Sequence, residues 1–411
     1  MVDRTRCYGR RYSVFMLSSA PKGSANRVIL LGVTSYLSLG FLRGLASQLV
    51  SDGWEVHVVS APVPSDEQPF AVPGVVVHEV EMAREPSPLA DLKSLADWNA
   101  LLRKVRPDVV MAGTPKAALL GMLSSAAARV HVRIYQIRGL RLETANGLQR
   151  KVLGALEKLT VLLSTERLAV SRSLAERYYA LSLASRTCKP ITVLGRGSSK
   201  GVSVERFAAG EDYERLRGEA RQRWGVKGDV PVIGYVGRIH EDKGLRELDE
   251  ASRLIEAQGY DHRVVVIGRS EGGDLEEVLG RNPNVILAGR SDAVEQEYPG
   301  MDVFCLPTHR EGFPNVVLEA SAAGLPVVTT DATGAVDSIE DGRTGLLYRT
   351  GDPAHLTKVL RWLLRHPDDA ARMGRAGHAF VEENYDQAAV TEAVASWLEK
   401  IQYPSPSTDH R

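Results

Sequence analysis

Short apolar runs rich in Val, Ile and Leu alternate with longer segments of helical periodicity from Arg27 onward. Continuous apolar runs of this kind predict parallel strands that are buried on both faces, with helices between them. Each half of the chain therefore predicts a Rossmann-like βα sheet. The predicted strands are Val28–Val33, Glu55–Ser60, Val75–Val80, Asp108–Ala112, Val130–Ile137, Arg167–Val170 and Ile191–Leu194 in the first half, and Val232–Val236, Arg263–Ile267, Asn284–Leu287, Asp302–Leu306, Pro326–Thr329 and Gly345–Tyr348 in the second.

The 411 residues are enough for two domains. A segment rich in Gly and Ser, Gly195–Gly201, precedes the predicted break near residues 202–207. We expect Rossmann-like domains at residues 26–205 and 206–387, flanked by two shorter regions. Residues 1–25 are expected to form a flexible extension, and residues 388–411 a C-terminal helix, which could pack back on the first domain, and a tail.

The net charge is zero, but the charges are distributed unevenly. Residues 1–205 contain 27 Lys and Arg against 16 Asp and Glu, which gives +11, and the remaining residues give −11. A basic half can bind an anionic partner or rest on an acidic membrane surface, although a solvated basic surface is an equal alternative. The three cysteines form no spacing pattern, which indicates a reducing compartment, and Cys305 is expected to be a buried thiol.

No apolar stretch approaches the ~20 residues needed to span a bilayer, and a cytoplasmic location is therefore expected. One predicted helix, Leu148–Leu163, carries an apolar face formed by residues 148, 152, 155, 156, 159, 162 and 163. Packing of this face into the core is favoured over contact with a membrane.

Glu311 and Glu319 are separated by seven residues that include Gly312, Pro314 and an apolar run. Pro314 fits the first turn of a helix, because an N–H group has no partner there in any case. Glu311 is then expected in the preceding loop and Glu319 inside the helix on the same side. Because the start of a helix offers unpaired N–H groups and partial positive charge, the segment predicts a phosphate site beside two carboxylates. When either carboxylate is considered alone, an ordinary surface residue is the simpler interpretation.

A second polar segment, Gly237 to Gly244, directly follows the predicted strand Val232–Val236 and contains Arg238 and Lys243. Glycines allow the backbone to approach a ligand closely, Arg can bind a diphosphate with two parallel hydrogen bonds, and Lys adds a point charge. A surface turn with two solvated cations is the alternative. The position at the carboxyl end of a strand favours ligand binding, because ligands of parallel sheets bind there.

In this order, the motifs resemble those of the retaining nucleotide-sugar glycosyltransferases with the GT-B fold, a group that includes sucrose synthases and many bacterial polysaccharide transferases. The resemblance extends from Val232 to about Tyr348. It implies an α/β fold in which two Rossmann-like βαβ domains face a cleft. Besides the glutamate pair, the residues that carry it are Gly237-Arg238, Lys243-Gly244, Asp302–Pro307, Ala323–Val328 and Asp341–Leu347.

The first half resembles a narrower set, the transferases that build capsule, exopolysaccharide and lipid-linked glycans. Such enzymes commonly act on a sugar carried by a polyprenyl diphosphate at the inner membrane face, and the +11 first half suits that acceptor. The segments that carry this resemblance are Thr114–Ala117, Arg133–Thr144, Val170–Leu174 and Val193–Ser198.

The resemblance assigns catalytic roles to Arg238, Lys243 and Glu311. Arg238 and Lys243 would hold the donor diphosphate and offset the charge that develops as the nucleotide leaves. Metal is usually dispensable in this fold, because side-chain cations take its place. Neither a metal ion nor another cofactor is therefore expected, and no Asp-x-Asp pair stands at a predicted strand end.

The same resemblance implies that Glu311 binds the hydroxyl groups of the donor sugar, next to the backbone N–H groups of Gly312, Phe313 and Asn315. Glu319 would bind the ribose hydroxyls. The second domain, residues 206–387, would thus bind the nucleotide-sugar and the first domain the acceptor.

The cleft residues expected to meet the acceptor are Thr34, Ser35, Lys116, Arg138 and Glu143. Two positions depart from the resemblance. Many relatives carry His-Gly where this chain has Arg138-Gly139, and that His approaches the donor sugar and phosphate; Arg138 could supply charge instead. Many relatives also open with a Gly-Gly loop after the first strand, whereas this chain has Gly32-Val33-Thr34-Ser35 there.

The resemblance therefore implies a retaining, hexosyl-type glycosyltransferase that moves a sugar from a nucleoside-diphosphate donor, with UDP as the favoured nucleotide. The acceptor would be polyprenyl-diphosphate-linked or a saccharide, in cell-surface polysaccharide assembly. Peripheral contact with the inner face of the plasma membrane is compatible with the basic first half, and no nucleic-acid partner is expected. A nucleotide-sugar epimerase and a non-catalytic subunit of a glycan-assembly complex stay open as alternatives. The intact cationic loop and carboxylate pair weigh against the second.

Overall fold

The computed structural model describes residues 27–65, 67–83, 87–207 and 210–401, so the predicted extension at residues 1–25 lies outside the described residues. Within these ranges the strands form two six-stranded parallel sheets. The first contains β1 (Val28–Gly32), β2 (Glu55–Ser60), β3 (Val75–Glu79), β4 (Val109–Gly113), β5 (Val132–Ile137) and β6 (Glu166–Ala169). The second contains β7 (Val232–Val236), β8 (Arg263–Ile267), β9 (Val285–Gly289), β10 (Val303–Leu306), β11 (Val327–Thr330) and β12 (Gly345–Tyr348).

The strand orders are β3-β2-β1-β4-β5-β6 and β12-β11-β10-β7-β8-β9, as expected for two Rossmann-like units. Helices connect the strands and cover both sheets. They are α1 (Arg43–Ser51), α2 (Pro88–Val105), α3 (Pro115–Ala127), α4 (Gly147–Leu163), α5 (Arg172–Ala180), α6 (Val204–Phe207), α7 (Tyr213–Trp224), α8 (Leu245–Ala257), α9 (Leu275–Gly280), α10 (Asn315–Ala322), α11 (Pro353–Arg365), α12 (Pro367–Tyr385) and α13 (Gln387–Lys400).

The predicted α/β fold is confirmed, and so are all the predicted strands except Ile191–Leu194. That segment forms only an isolated bridge, in which Thr192 pairs with Leu168 at the edge of the first sheet. Pro190 precedes the segment and has no N–H group to extend the pairing. Gly195 follows it with a φ of 55°, which turns the chain away from the sheet. The apolar run therefore ends before a strand can form.

The central strands are buried on both faces, as their continuous apolar runs predict. Every residue of β4, β7, β10 and β11 is buried. The prediction for Cys305 is confirmed, because it lies fully buried in β10, and burial raises the pKa of its thiol.

The last helix, α13, lies against α1 of the first half. Its Ala395 and Leu398 join an apolar cluster beneath the first sheet, and the Glu399 carboxylate accepts a hydrogen bond of 2.9 Å from Trp54 Nε1. The C-terminal end of the described chain thus returns to the N-terminal sheet.

The predicted burial of the apolar face of α4 is wrong for most of its length, although Leu163 at its end packs against the core. Leu148 is 77% exposed, Val152 49% and Leu162 66%. The opposite side of the helix faces the core, and its Glu157 carboxylate accepts hydrogen bonds from the Tyr135 and Tyr178 hydroxyl groups at 2.7 and 2.8 Å. Two tyrosine donors compensate for the burial of this carboxylate, and the apolar side of α4 is left in solvent.

Candidate active site

The cleft between the two sheets contains a cavity of about 280 Å³ at the carboxyl ends of the strands. Loops that follow β1, β4 and β5 line it from the first half, and loops that follow β7, β8 and β10 line it from the second. The lining residues are Thr34, Ser35, Ser38, Thr114, Pro115, Lys116, Arg141, Arg238, His240, Asp242, Glu271 and Arg310. The structure therefore brings Thr34, Ser35 and Lys116 from the first half together with Arg238 from the second.

The loop between β7 and α8 is fixed by a close backbone contact. Gly244 has a φ of 67°, and a Cβ atom there would lie 1.8 Å from the carbonyl oxygen of Pro307. The His309 N–H group also donates to the Asp242 carbonyl at 2.9 Å. The glycine thus allows close approach to the loop that follows β10, and the two loops together position Lys243 beside Glu311.

Lys243 and Glu311 are not among the residues that line the cavity, but they form an ion pair and directly follow two residues that do, Asp242 and Arg310. Lys243 Nζ donates to Glu311 Oε1 at 2.6 Å, and only 11% and 18% of the two side chains are exposed. A pair that is largely removed from water is costly to break from one side, because the remaining charge is left without a partner. The two residues therefore act as a unit, although they are 68 positions apart in the chain.

Arg238 is held in the cavity by two carboxylates. Its guanidinium donates to Glu271 and lies 3.7 Å from Asp242 Oδ2. Burial lowers the pKa of Arg238, but the charges of Asp242 and Glu271 outweigh that effect and raise it. The guanidinium is thereby oriented before any ligand binds, which is the condition for electrostatic preorganisation.

Arg310 is a cavity residue that the sequence motifs did not assign. Its Nη2 lies 3.2 Å from Asp242 Oδ2, whereas its buried Nε has no hydrogen-bond partner among the described residues. Burial raises the pKa of Asp242, but Lys243, Arg238 and Arg310 together lower it below its ordinary value. The only sequence signal for Arg310 is its position immediately before Glu311.

Helix α10 begins at Asn315, with Pro314 as its N-cap, one residue later than predicted. The Asn315 side chain is unusual, because its buried Oδ1 and Nδ2 both have no hydrogen-bond partner among the described residues. Buried side-chain amides normally form hydrogen bonds, so a buried amide without a hydrogen-bond partner needs an explanation. The Phe313 side chain is buried against Tyr385, with 5.3 Å between ring centroids, so that only its backbone could meet a ligand.

Gly312 lies where the two halves touch. A Cβ atom at this position would be 2.0 Å from the carbonyl oxygen of Arg138 and 3.1 Å from the Gly139 nitrogen. Only a glycine allows this approach. The loop that carries Glu311 therefore packs directly on the loop that follows β5.

Glu319 lies inside α10 and does not line the cavity. Its carboxylate accepts a hydrogen bond of 3.1 Å from the Tyr298 hydroxyl, and Lys200 Nζ lies 3.9 Å away. Burial raises the pKa of Glu319, and the Lys200 charge and the Tyr298 hydrogen bond oppose that effect. Glu311, in the loop before α10, and Glu319, inside α10, thus have separate partners.

Three candidates from the first half line the cavity with polar atoms that already have partners. The Thr34 hydroxyl accepts a hydrogen bond of 3.0 Å from the N–H group of Ala117, near the start of α3. Ser35 Oγ accepts one of 3.3 Å from the N–H group of Leu37. Lys116 Nζ donates to Asp91 Oδ1 at 2.7 Å.

Arg138 lies outside the cavity lining. Its Nε and Nη2 donate to Gln136 Oε1 at 3.0 and 2.8 Å, and its guanidinium stacks 5.2 Å from the centre of the Phe41 ring. Burial lowers the pKa of Arg138 to about 10. Its Nη1 has no hydrogen-bond partner within the described ranges.

Glu143 also lies outside the cavity lining and joins the two halves. Its Oε1 accepts hydrogen bonds from Arg177 Nε at 3.0 Å and from Thr333 Oγ1 at 2.8 Å. Nearby, the Gly334 N–H group donates to Ser173 Oγ at 2.8 Å. Because Thr333 and Gly334 belong to the second half, these bonds fix the width of the cleft next to Glu311.

Sequence comparisons place both halves of the chain in one class of enzyme. Residues 230–366 match the family model described as glycosyl transferases group 1, and residues 41–197 match the glycosyl transferase 4-like domain. The capsular polysaccharide biosynthesis glycosyltransferase CapM of Staphylococcus aureus is 35% identical over 369 residues, which cover 89% of this chain and 94% of that protein.

A second relative is the N,N'-diacetylbacillosaminyl-diphospho-undecaprenol alpha-1,3-N-acetylgalactosaminyltransferase of Campylobacter jejuni. It is 25% identical over 361 residues, which cover 84% of this chain and 91% of that protein.

Solved structures share the fold at low sequence identity. Sucrose-phosphate synthase from Thermosynechococcus elongatus superposes with a TM-score of 0.75 at 18% identity, covering 91% of this chain and 99% of that chain. The Anabaena HepE protein, solved in complex with UDP-glucose, gives a TM-score of 0.71 at 19% identity, covering 91% and 100%. With the near full-length match to CapM and the two facing parallel sheets, the chain belongs to the group 1 glycosyltransferases with the GT-B fold.

Proposed function

We propose that this glycosyltransferase transfers a hexosyl group, with retention of anomeric configuration, from a UDP-linked donor to a polyprenyl-diphosphate-linked or saccharide acceptor. The observation that carries the proposal is the cavity in which Arg238 and Arg310 of the second half face Ser35 and Lys116 of the first. A donor held by one half and an acceptor held by the other would meet in this space.

The donor diphosphate would bind at the cationic side of the cavity. Arg238 is oriented by Glu271 and Asp242, and Arg310 has an Nε donor that no protein group uses within the described residues. Charged N–H groups that are fixed beforehand stabilise the negative charge on the departing nucleotide without further reorganisation. These residues supply the charge neutralisation that the transfer requires, and no metal ion takes part in the proposal.

The donor sugar would lie next to Glu311 and Asn315. One oxygen of Glu311 accepts from Lys243, and its second oxygen can accept from a sugar hydroxyl. The Asn315 amide offers one acceptor and two donor hydrogens, all without protein partners among the described residues. Glu319, inside α10, would bind the ribose hydroxyls of the nucleotide.

The acceptor class and the cell-surface role are supported by the relatives. CapM is named for capsular polysaccharide biosynthesis, and the C. jejuni enzyme is named for a diphospho-undecaprenol substrate. A lipid-linked acceptor of this kind would place the enzyme at the cytoplasmic face of the membrane. Among the described residues, none of the helices combines the length and apolar character needed to cross a bilayer.

Thermal shift measurements with a panel of UDP-, GDP- and ADP-sugars test the donor class. A UDP-sugar is expected to raise the melting temperature most, because a ligand that binds only the folded state stabilises it by mass action. A larger shift with a GDP- or ADP-sugar would make that nucleotide, in place of UDP, the donor in the proposal. No shift with any of the nucleotide-sugars would contradict the proposal.

Incubation of the enzyme with the best donor and no acceptor then separates sugar transfer from epimerisation, since an epimerase needs no acceptor.

Asn315→Ala is expected to weaken donor binding by about tenfold, through the loss of one or two hydrogen bonds to the sugar. The melting temperature without donor should change little, because the amide makes no protein hydrogen bond within the described residues. Titration calorimetry with the donor found in the screen measures the first effect. Parental affinity in the variant would show that the amide does not contact the donor.

A further inference from the structure

The apolar stripe of α4 faces solvent on the side opposite to the core. Leu148, Val152 and Leu162 are all exposed, and helical spacing places Ala155 and Leu159 on the same side. Exposed apolar side chains that occur singly need no explanation, but a continuous stripe along a helix indicates a binding surface.

The charges on α4 have one sign at the surface. The helix contains Arg150, Lys151 and Lys158, and its single acidic residue, Glu157, is buried beneath two tyrosine hydroxyl groups. Lys151 and Lys158 are exposed, and helical spacing places both along one edge of the apolar stripe. An apolar stripe with a cationic edge is typical of a helix that lies in the plane of an anionic membrane surface.

A second exposed apolar pair lies at the start of α2, where Leu89 is 83% and Leu92 64% exposed. Helix α2 packs on α3 and α3 packs on α4, so that the three helices lie side by side on one face of the first sheet. All three begin where a strand has ended, at the cleft edge of the sheet. Lys116 and Arg141, which line the cavity, lie at this same edge.

We propose that α4, together with the first turns of α2, docks on a membrane surface that contains anionic phospholipids. The apolar side chains would enter the boundary between headgroups and acyl chains, and Lys151 and Lys158 would lie among the anionic headgroups. In this orientation the cleft edge of the first sheet, where Lys116 and Arg141 line the cavity, borders the lipid surface. The docking itself does not depend on the proposed function. Only its purpose, to bring the enzyme to a lipid-linked acceptor in that membrane, rests on that function.

Sedimentation with phospholipid vesicles, without donor or acceptor, tests the docking. The parent protein is expected to bind vesicles of phosphatidylcholine and phosphatidylglycerol and to remain in solution with phosphatidylcholine alone. Two α4 variants should bind the anionic vesicles at least about tenfold more weakly than the parent. The apolar variant, Leu148→Ser/Val152→Ser/Leu162→Ser, loses the apolar contribution to binding. The lysine variant, Lys151→Gln/Lys158→Gln, loses the electrostatic contribution.

The matched controls remove exposed residues elsewhere. Val76→Ser/Val77→Ser removes exposed apolar side chains on β3, and Lys227→Gln/Lys358→Gln removes exposed lysines of the second half. Both should bind like the parent. Because the replaced residues of α4 are exposed, the melting temperature of its variants should stay near the parental value, and the lysine variant gives an independent reading if the apolar variant folds poorly.

Three results would overturn the docking. The first is failure of the parent protein to bind anionic vesicles, and the second is binding at the parental level by both α4 variants. The third is a dimer of the parent protein in lipid-free solution that the α4 substitutions dissociate. That dimer would assign the apolar stripe to contact with a second copy of the chain. Transfer to a detergent-dispersed acceptor is measured in parallel. Vesicle binding without sugar transfer would contradict the proposed function and leave the docking intact.

Discussion

Replacement of Lys243 by alanine is expected to lower turnover by at least about 100-fold, the loss typical of one preorganised charged contact. Lys243 Nζ lies 2.6 Å from Glu311 Oε1, and both side chains are largely buried. The variant removes a cation that the family resemblance assigns to the donor diphosphate, and it also leaves the Glu311 carboxylate without its charge partner. Initial rates with saturating donor and acceptor measure the effect.

Glu311→Ala should cause a loss of the same order, since it removes the other half of the pair. The double variant is expected to be little worse than either single variant, because contacting residues that act as a unit are not additive. Lys227→Ala is the matched control, since Lys227 is an exposed lysine of the same half. A near-parental rate for either single variant would show that the assignment of that residue is wrong.

Gly312→Ala is expected to reduce turnover by about 100-fold, because small displacements of reacting groups have effects of that size. The new Cβ atom would lie 2.0 Å from the Arg138 carbonyl oxygen. Since the obstacle is backbone of the other half, the clash is relieved only if the two halves move apart. The donor side and the acceptor side of the cavity would then no longer meet at the parental distance.

Two controls separate this effect from general unfolding. Gly218→Ala replaces a glycine of α7 with no atom within 4 Å of the new Cβ, and it should leave turnover unchanged. Binding of the donor to Gly312→Ala should also stay within a few-fold of the parental value, because the clash lies toward the first half. Parental turnover in Gly312→Ala would mean that contact between the two loops is not needed for transfer.

The sequence was sufficient for the two sheets, except for one predicted edge strand. Continuous apolar runs identify the central parallel strands because these strands are buried on both faces. The segment Ile191–Leu194 has the same composition but lies at a sheet edge between a proline and a turning glycine. Composition does not reveal how many neighbours a strand will have.

The apolar face of α4 shows a second limit. Periodicity establishes that a helix has an apolar side but not which side meets the core. Here the core side is decided by Tyr135 and Tyr178, which hold Glu157 and come from other elements of the chain. The same limit applies to Arg310 and Asp242, whose contact joins loops that follow different strands.

Hydrogen–deuterium exchange, with and without the nucleotide-sugar that gives the largest thermal shift, tests the location of the donor site most directly. Donor binding is expected to slow amide exchange in residues 237–244 and 311–319, because these segments would contact the diphosphate, the sugar and the ribose. Slower exchange confined to residues outside these two segments, with bound donor demonstrated in the same sample, would contradict the proposed site.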